Sequence, residues 1–463
     1  MHGGGGIIKS EKMLRISGRR YKVKNGRQKV SMVKKMKDKI ITVSIIGVGA
    51  RGGEAYGRYI AKLKDKFKIV SLCDASGERL VKYGEDFGVP ESERFADENA
   101  FFGKKRSDLL LISTLDKMHV RMAKRALALG YDILLEKPIS ADPDEIASLV
   151  ECAKKSGRTV MVCHVLRYTA AIGKLKEVLD SGAIGKLVSI DETENVVFWH
   201  EAHSFVRGNW RRSEDTSPMI MAKCCHDLDL LQYFAGSRCE SVSSMGSLAY
   251  FKKENMPAGA AERCTDCKFM ETCPYSAKKI YIDMWKKPFG QPENAWPMNV
   301  ITDELPLTED NLRKAIETGA YGRCVFACDN DVVDNQTTIM QFENGITATL
   351  KMEAFVKDGG RDIRFFGTDG ELELRESENK IVLKKYFGEN TEWKISELTD
   401  DLEGHGGGDH RMIDKLYEVL SGGNAQADTS IENSAESHYM AIAAEASRVA
   451  GGKVVSVKEF RKV

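Results

Sequence analysis

The stretch Ile45-Ile46-Gly47-Val48-Gly49-Ala50-Arg51-Gly52 closes a short apolar run and opens a helical pattern, and this junction constrains the fold more than any other stretch. Each glycine has its own reason to be there. The first permits a tight turn, the second lets a ligand's diphosphate approach the backbone, and the third lets helix and strand pack closely. Amides at the helix N-terminus then face the phosphates. A second apolar run, Lys68 to Cys73, ends at Asp74, roughly 20 residues on, where an acidic residue meets the adenosine ribose. A carboxylate there accepts from a 2′-hydroxyl and repels a 2′-phosphate, which favours NAD. Arg51 and Arg79 keep NADP open, since either can reach a phosphate.

Apolar runs over 40–46, 68–73, 108–113, 131–135 and 159–163 read as strands covered on both faces. They alternate with helical patterns over 53–63, 77–87, 119–129 and 142–155, the last opened by Ser140 and Asp142 with Pro143 in its first turn. The alternation predicts an α/β chain whose residues 39–163 form a Rossmann dinucleotide-binding domain. From residue 164 to 463 the pattern changes. Longer strands over 187–197, 336–342, 346–354, 362–367, 371–375 and 380–385, mixed with a few helices, predict an α+β domain with a large, mostly antiparallel open sheet. Helices are expected near 409–420 and 431–450, and a Cys-rich insertion or long loop around 250–328.

Net charge is +1, but Met1 to Lys39 holds 13 Lys and Arg against two acidic residues, leaving the remaining 424 residues at −10. The basic, Gly-rich start lacks the aromatic interleaving of a nucleic-acid arm and the periodicity of a membrane-surface helix. Residues 1–38 therefore read as a disordered or non-native leader, with Met32 or Met36 as the natural start. No apolar run approaches the roughly 18 residues of a membrane span, and no secretory core opens the chain. The expectation is a cytoplasmic protein with neither nucleic acid nor membrane as partner. Eleven cysteines in a reducing compartment invite a reading as metal ligands or packing residues. Cys264-x2-Cys267-x5-Cys273 predicts structural zinc, with Cys324 and Cys328 as the nearest candidates for a fourth ligand. An iron–sulfur cluster and plain thiols are the alternatives. Cys224 and Cys225 read as packing residues.

After the third and fourth strands come Ser113-Thr114-Leu115-Asp116-Lys117-Met118-His119 and Glu136-Lys137-Pro138. With the glycine loop, and in this order, these segments resemble the Gfo/Idh/MocA oxidoreductases from Lys39 onward. The resemblance implies an NAD-dependent enzyme acting on CH–OH groups of a sugar or cyclitol, and a homodimer or homotetramer. It implies cofactor contacts at Gly47, Gly49, Ala50, Arg51, Gly52, Asp74, Thr114, His119 and Glu136, a cis Lys137-Pro138 bond, and Lys137 as a catalytic residue. The family's His falls at His226, but its Asp four residues earlier falls at Ala222, beside Lys223, which marks a divergent branch. Helical spacing puts Lys223, His226 and Asp229 on one face. Lys223 and His226 both stand as proton acceptors, with Asp229 expected to orient the imidazole.

His164 and Arg167 lie where the family lines its substrate pocket. Trp199, His200, His203, Arg207 and Trp210, preceded by Glu192 and Asn195, suit a carbohydrate, whose C–H faces stack on rings while polar tips bind hydroxyls; an aromatic mini-core is the alternative. The segment His405 to His410 reads equally as a loop closing over substrate and as a helix cap. Oxidising a secondary alcohol needs a base near pH 7 and positive charge beside the developing alkoxide, roles that His226, Lys137 and Lys223 can fill. A second class is a glycoside-cleaving or eliminating enzyme whose tightly held NAD oxidises the sugar only transiently. A third, a non-catalytic NAD-binding protein, would be expected to lack Lys137 and His226.

Overall fold

The computed structural model describes residues 13–16, 19–22, 39–401, 403–422 and 427–462. Within the leader, β1 (Met13–Ile16) and β2 (Arg19–Lys22) pair antiparallel; the rest of the leader lies outside the described residues. The first domain follows the predicted alternation: β3 (Ile41–Ile46), β4 (Phe67–Cys73), β5 (Arg94–Phe95), β6 (Leu109–Ile112), β7 (Asp132–Leu135) and β8 (Val160–Val162). They form one parallel sheet in the order β5-β4-β3-β6-β7-β8. The chain winds one way from β3 to β5 and then restarts on the other side of β3. That reversal leaves a crevice at the carboxyl ends of β3 and β6, where ligands of such sheets bind, and the glycine loop sits there.

The second domain is built on β9 (Leu187–Val197), β10 (Cys239–Ser247), β11 (Asn335–Phe342), β12 (Thr347–Val356), β13 (Gly360–Gly367), β14 (Gly370–Arg375), β15 (Lys380–Lys385), β16 (Thr391–Lys394) and β17 (Val455–Ser456). The nine strands run β16-β15-β14-β13-β9-β12-β11-β10-β17, and β9–β12 is the parallel pair in an otherwise antiparallel sheet. Helices Cys225–Ala235 and Ile431–Val449 cover one face. On β9 that covered face receives Ile190, Glu192, Glu194 and Val196, so two carboxylates sit where alternation calls for apolar residues.

Between β10 and β11 the insertion folds as a unit with its own core of Phe251, Tyr281, Trp285, Leu312, Ile316 and Phe326, into which Ala202 and Val206 also pack. Its helix Glu309–Thr318 starts with a reciprocal cap between Thr308 and Asn311. The chain then returns to the first domain. Helix Gly408–Leu420 buries Met412, Ile413, Leu416 and Tyr417 against Val43, Ile45 and Val165, and Thr429 accepts a hydrogen bond from the Val162 amide. A contiguous boundary at 163/164 therefore does not describe how the nucleotide-domain core is made. No helix among the described residues is long and apolar enough to cross a membrane.

Candidate active site

The three glycines of the loop separate by what surrounds them. Gly47 has φ +86°, and a Cβ there would lie 2.5 Å from the Ser113 carbonyl oxygen; at Gly52 it would lie 2.1 Å from the Gly47 carbonyl oxygen. Those two are dictated by the protein's own packing. At Gly49 the nearest atom is the tip of Arg79, 3.5 Å away, so the missing Cβ leaves open space of the kind a diphosphate needs. The helix begins directly afterwards, as a wide π-type turn over Ala50–Gly57 that continues as a regular helix to Lys62. Asp74 accepts from the Val48 and Ser76 amides at 2.7 and 2.8 Å, which joins the end of β4 to the loop and leaves lone pairs for a ribose hydroxyl. These residues fit a nicotinamide dinucleotide.

Four expected cofactor contacts have other work. The Arg51 guanidinium donates to Glu136 Oε1 at 2.9 Å and to both Asp409 oxygens at 2.7 and 3.0 Å, and it also meets the Tyr56 hydroxyl. It is not free for a phosphate. Glu136, buried, also accepts from Tyr56 and from the Lys137 amide; burial alone would raise its pKa, but Arg51 and Lys137 hold it below the usual range. The His119 ring places Nδ1 2.7 Å from the Pro138 carbonyl and Nε2 3.0 Å from that of Thr114, stapling the two loops together. Thr114 supplies that carbonyl, and its hydroxyl points at the Met122 sulfur.

Lys137-Pro138 is cis, and the Lys137 ammonium donates to the Ala222 carbonyl at 2.8 Å. His226 stands near the start of helix Cys225–Ala235, buried, with no partner for Nδ1. Burial first, then Lys137, His164 and His405, hold its pKa well below the usual histidine range. Asp229 does not orient it. That carboxylate takes Arg167 in two hydrogen bonds of 2.6 and 2.7 Å, which also removes Arg167 from the substrate list. His164 is fully buried behind His226, with ring centroids 5.7 Å apart, and so is a backing residue. On the open side stands His405, centroid 6.2 Å from that of His226, its Nδ1 3.2 Å from Asp409. Its φ of +47° is rare for a residue with a Cβ. Sequence reasoning had only a glycine-flanked histidine as its signal here.

Lys223 is paired: its ammonium lies 2.6 Å from Glu194 on β9. Glu194 also holds Arg361, which in turn contacts Asp227, and Glu192 lies beside them with neither oxygen partnered. Burial and then the Asp227 carboxylate drive Glu192 well up, and burial lifts Asp227 to about 6. Against burial, Arg361 and Lys223 keep Glu194 ionised, at about 2. The carboxylate missing at Ala222 is thus matched by a counter-ion on the neighbouring strand.

The aromatic segment divides. Trp199 and His200 stay half-buried and meet Trp296 of the insertion, with centroids 5.2 and 4.9 Å away. His203 instead donates to or accepts from the Tyr281 hydroxyl at 2.9 Å and stacks on Tyr321. Arg207 is buried on the carbonyls of Arg323 and Tyr275, both at 2.7 Å, and Trp210 donates to Asp116 at 3.3 Å. His203 and Arg207 are therefore parts of the insertion core, and Trp296, which also meets His203 with centroids 5.6 Å apart, is an aromatic partner that the sequence did not single out. The zinc expectation is also corrected. Cys264, Cys267, Cys273 and Cys324 line one cavity of about 180 Å³, and Cys328 donates to the Cys324 carbonyl. Among the described residues, however, no group of three or more His, Cys, Asp or Glu side chains is placed to hold a metal. Cys264 and Cys324 pack as small core residues.

Residues 41–164 match the oxidoreductase family's NAD-binding Rossmann fold, and residues 176–456 match its C-terminal alpha/beta domain. The chain belongs to the Gfo/Idh/MocA oxidoreductase family. It is an NAD-dependent oxidoreductase of that family. The protein YteT of Bacillus subtilis (strain 168) is 25% identical over 405 residues, which take in 81% of this chain and 90% of YteT. The 2,7-anhydro-N-acetylneuraminate hydratase of Escherichia coli (strain K12) is 22% identical over 257 residues, 55% of this chain and 64% of the hydratase. Among solved structures, the WlbA dehydrogenase from Bordetella pertussis in complex with NADH and UDP-GlcNAcA superposes with a TM-score of 0.65 at 15% identity, over 90% of this chain and 98% of WlbA.

Proposed function

We propose that the enzyme oxidises a secondary alcohol of a sugar, glycoside or cyclitol. One observation carries the reading: a lysine ammonium, Lys137, lies beside a buried histidine held neutral, His226, at the mouth of the glycine-loop crevice. NAD, when bound, supplies the hydride acceptor. His226 takes the hydroxyl proton, and Lys137 stabilises the alkoxide that forms. Lys223 is assigned no proton transfer, because its ammonium is committed to Glu194. A carbohydrate partner is supported by the Trp199, His200 and Trp296 rings, and by WlbA, which holds a sugar nucleotide. A cytoplasmic location fits eleven free thiols.

The test is single-turnover NAD reduction with a panel of aldoses, methyl glycosides and inositols. His226→Ala should slow it by about 10²- to 10⁴-fold, and Lys223→Met much less. Near-normal rates in both variants would sink the assignment. A second reading has its own support. The His405–Asp409 pair puts another imidazole, fixed at Nδ1 by a carboxylate, opposite His226. Simple dehydrogenation has no need of a second proton-transfer group, whereas elimination and readdition of water around a transient carbonyl does; one relative is a hydratase. Stoichiometric release of NADH would favour the first reading, and product formed without it the second.

A further inference from the structure

The insertion touches the nucleotide-binding domain at an ion pair beside the glycine loop. Arg79 lies on helix Gly77–Asp86, which follows Asp74. Its Nη1 is 3.5 Å from the point where Gly49 would carry a Cβ, and its Nε and Nη2 both donate to Asp303 Oδ1, at 3.2 and 2.9 Å. Asp303 is 224 residues further along the chain, in the insertion turn after the short helix Met298–Ile301. The two side chains are 37% and 43% exposed, so the pair adds little stability. What it changes is the charge of the crevice.

In a dinucleotide fold the choice between NAD and NADP is made just beyond the second strand. A carboxylate takes the ribose 2′-hydroxyl, and a nearby arginine accommodates a 2′-phosphate. Here Asp74 supplies the carboxylate. Arg51 is withdrawn onto Glu136 and Asp409, which leaves Arg79 as the guanidinium over the second glycine. A free arginine five residues after Asp74 would make the site ambiguous. Asp303 removes the ambiguity by occupying two of the guanidinium's donors and adding a second negative charge.

We propose that Asp303 masks Arg79, so that the insertion, a segment remote from the nucleotide-binding sequence motifs, makes the crevice selective for NAD over NADP. The inference rests on the dinucleotide reading above. Affinities of the full-length protein for NADH and NADPH, measured by fluorescence titration at fixed ionic strength, test it. Wild type should prefer NADH. Asp303→Asn should tighten NADPH about tenfold, change NADH less than about twofold, and lose the gain as salt is raised. The double variant Asp303→Asn with Arg79→Gln should return to the wild-type ratio. An unchanged ratio in Asp303→Asn, equal tightening of both nucleotides, or a gain that survives without Arg79 would each overturn the proposal. Wild type binding neither nucleotide would overturn the cofactor reading and this inference together, a result distinct from binding with an unaltered ratio.

Discussion

Lys137 rests on a backbone carbonyl, that of Ala222, instead of a carboxylate. Its charge is therefore available to a developing alkoxide, and it also acts on its neighbour. Burial and then Lys137 hold His226 below the usual histidine range, so the imidazole stays neutral at neutral pH, and the base function proposed for it is lost only as the pH falls through that lowered value. Lys137→Met should cut kcat by about 10²- to 10³-fold. It should also let the His226 pKa rise, despite the remaining influence of His164, His405 and Arg361, moving the acid limb of kcat/KM to higher pH; a limb that stays put would refute the coupling. The glycines offer a second contrast at this scale. Gly47→Ala should lower the thermal midpoint, because φ +86° and the Ser113 carbonyl exclude a Cβ, whereas Gly49→Ala should keep the midpoint and weaken NADH binding. Gly47, Gly49, Gly52, Lys137 and His226 could be named as candidates from sequence because each belongs to a local motif. Arg51 and Arg167 were misread because their partners lie far along the chain: Asp409 is 358 residues from Arg51, and Asp229 is 62 from Arg167. His119 was misread although its partners are near, because both are backbone carbonyls, of Thr114 and Pro138, that no side-chain pattern marks.

At the scale of elements, β9 shows how an alternating pattern can hide a network. Its length was readable, but Glu192 and Glu194 point to the covered face and survive there only with Arg361, Lys223 and Asp227. Arg361→Met should destabilise the fold by about 3 to 5 kcal/mol, since it strands buried carboxylates. Glu192→Gln should change urea stability by less than about 1 kcal/mol, because burial and the Asp227 carboxylate push Glu192 toward the neutral form that Gln mimics; a loss as large as that of Arg361→Met would refute this division. Other elements left weak signals. β10, with four serines and a glycine in nine residues, and the exposed β16 owe their strand form to sheet neighbours more than to their own side chains. The insertion's core was unreadable because it is assembled from short helical turns and from side chains on the 198–207 segment.

Over the whole molecule, Met245 and Ile339 stand exposed on the face of the large sheet opposite helices Cys225–Ala235 and Ile431–Val449, and Phe355 on the same face stacks on Phe251 of the insertion. We propose that this face pairs two chains. Light scattering should then give at least twice 51.6 kDa, and Ile339→Glu with Met245→Glu should return the monomer. The two-domain plan was legible from the switch between strand patterns near residue 164. The return of helix Gly408–Leu420 to the first core was not, because an amphipathic helix does not announce which core it fills. That return sets an order of events during synthesis. A ribosome that has released all six nucleotide-domain strands still holds a chain without Met412, Ile413 and Leu416 in its core and without Asp409 on Arg51. Contacts this distant in sequence form late, so the Arg51 guanidinium beside the cofactor loop gains its second carboxylate only after helix Gly408–Leu420 has emerged, and until then Glu136 is the carboxylate that holds it.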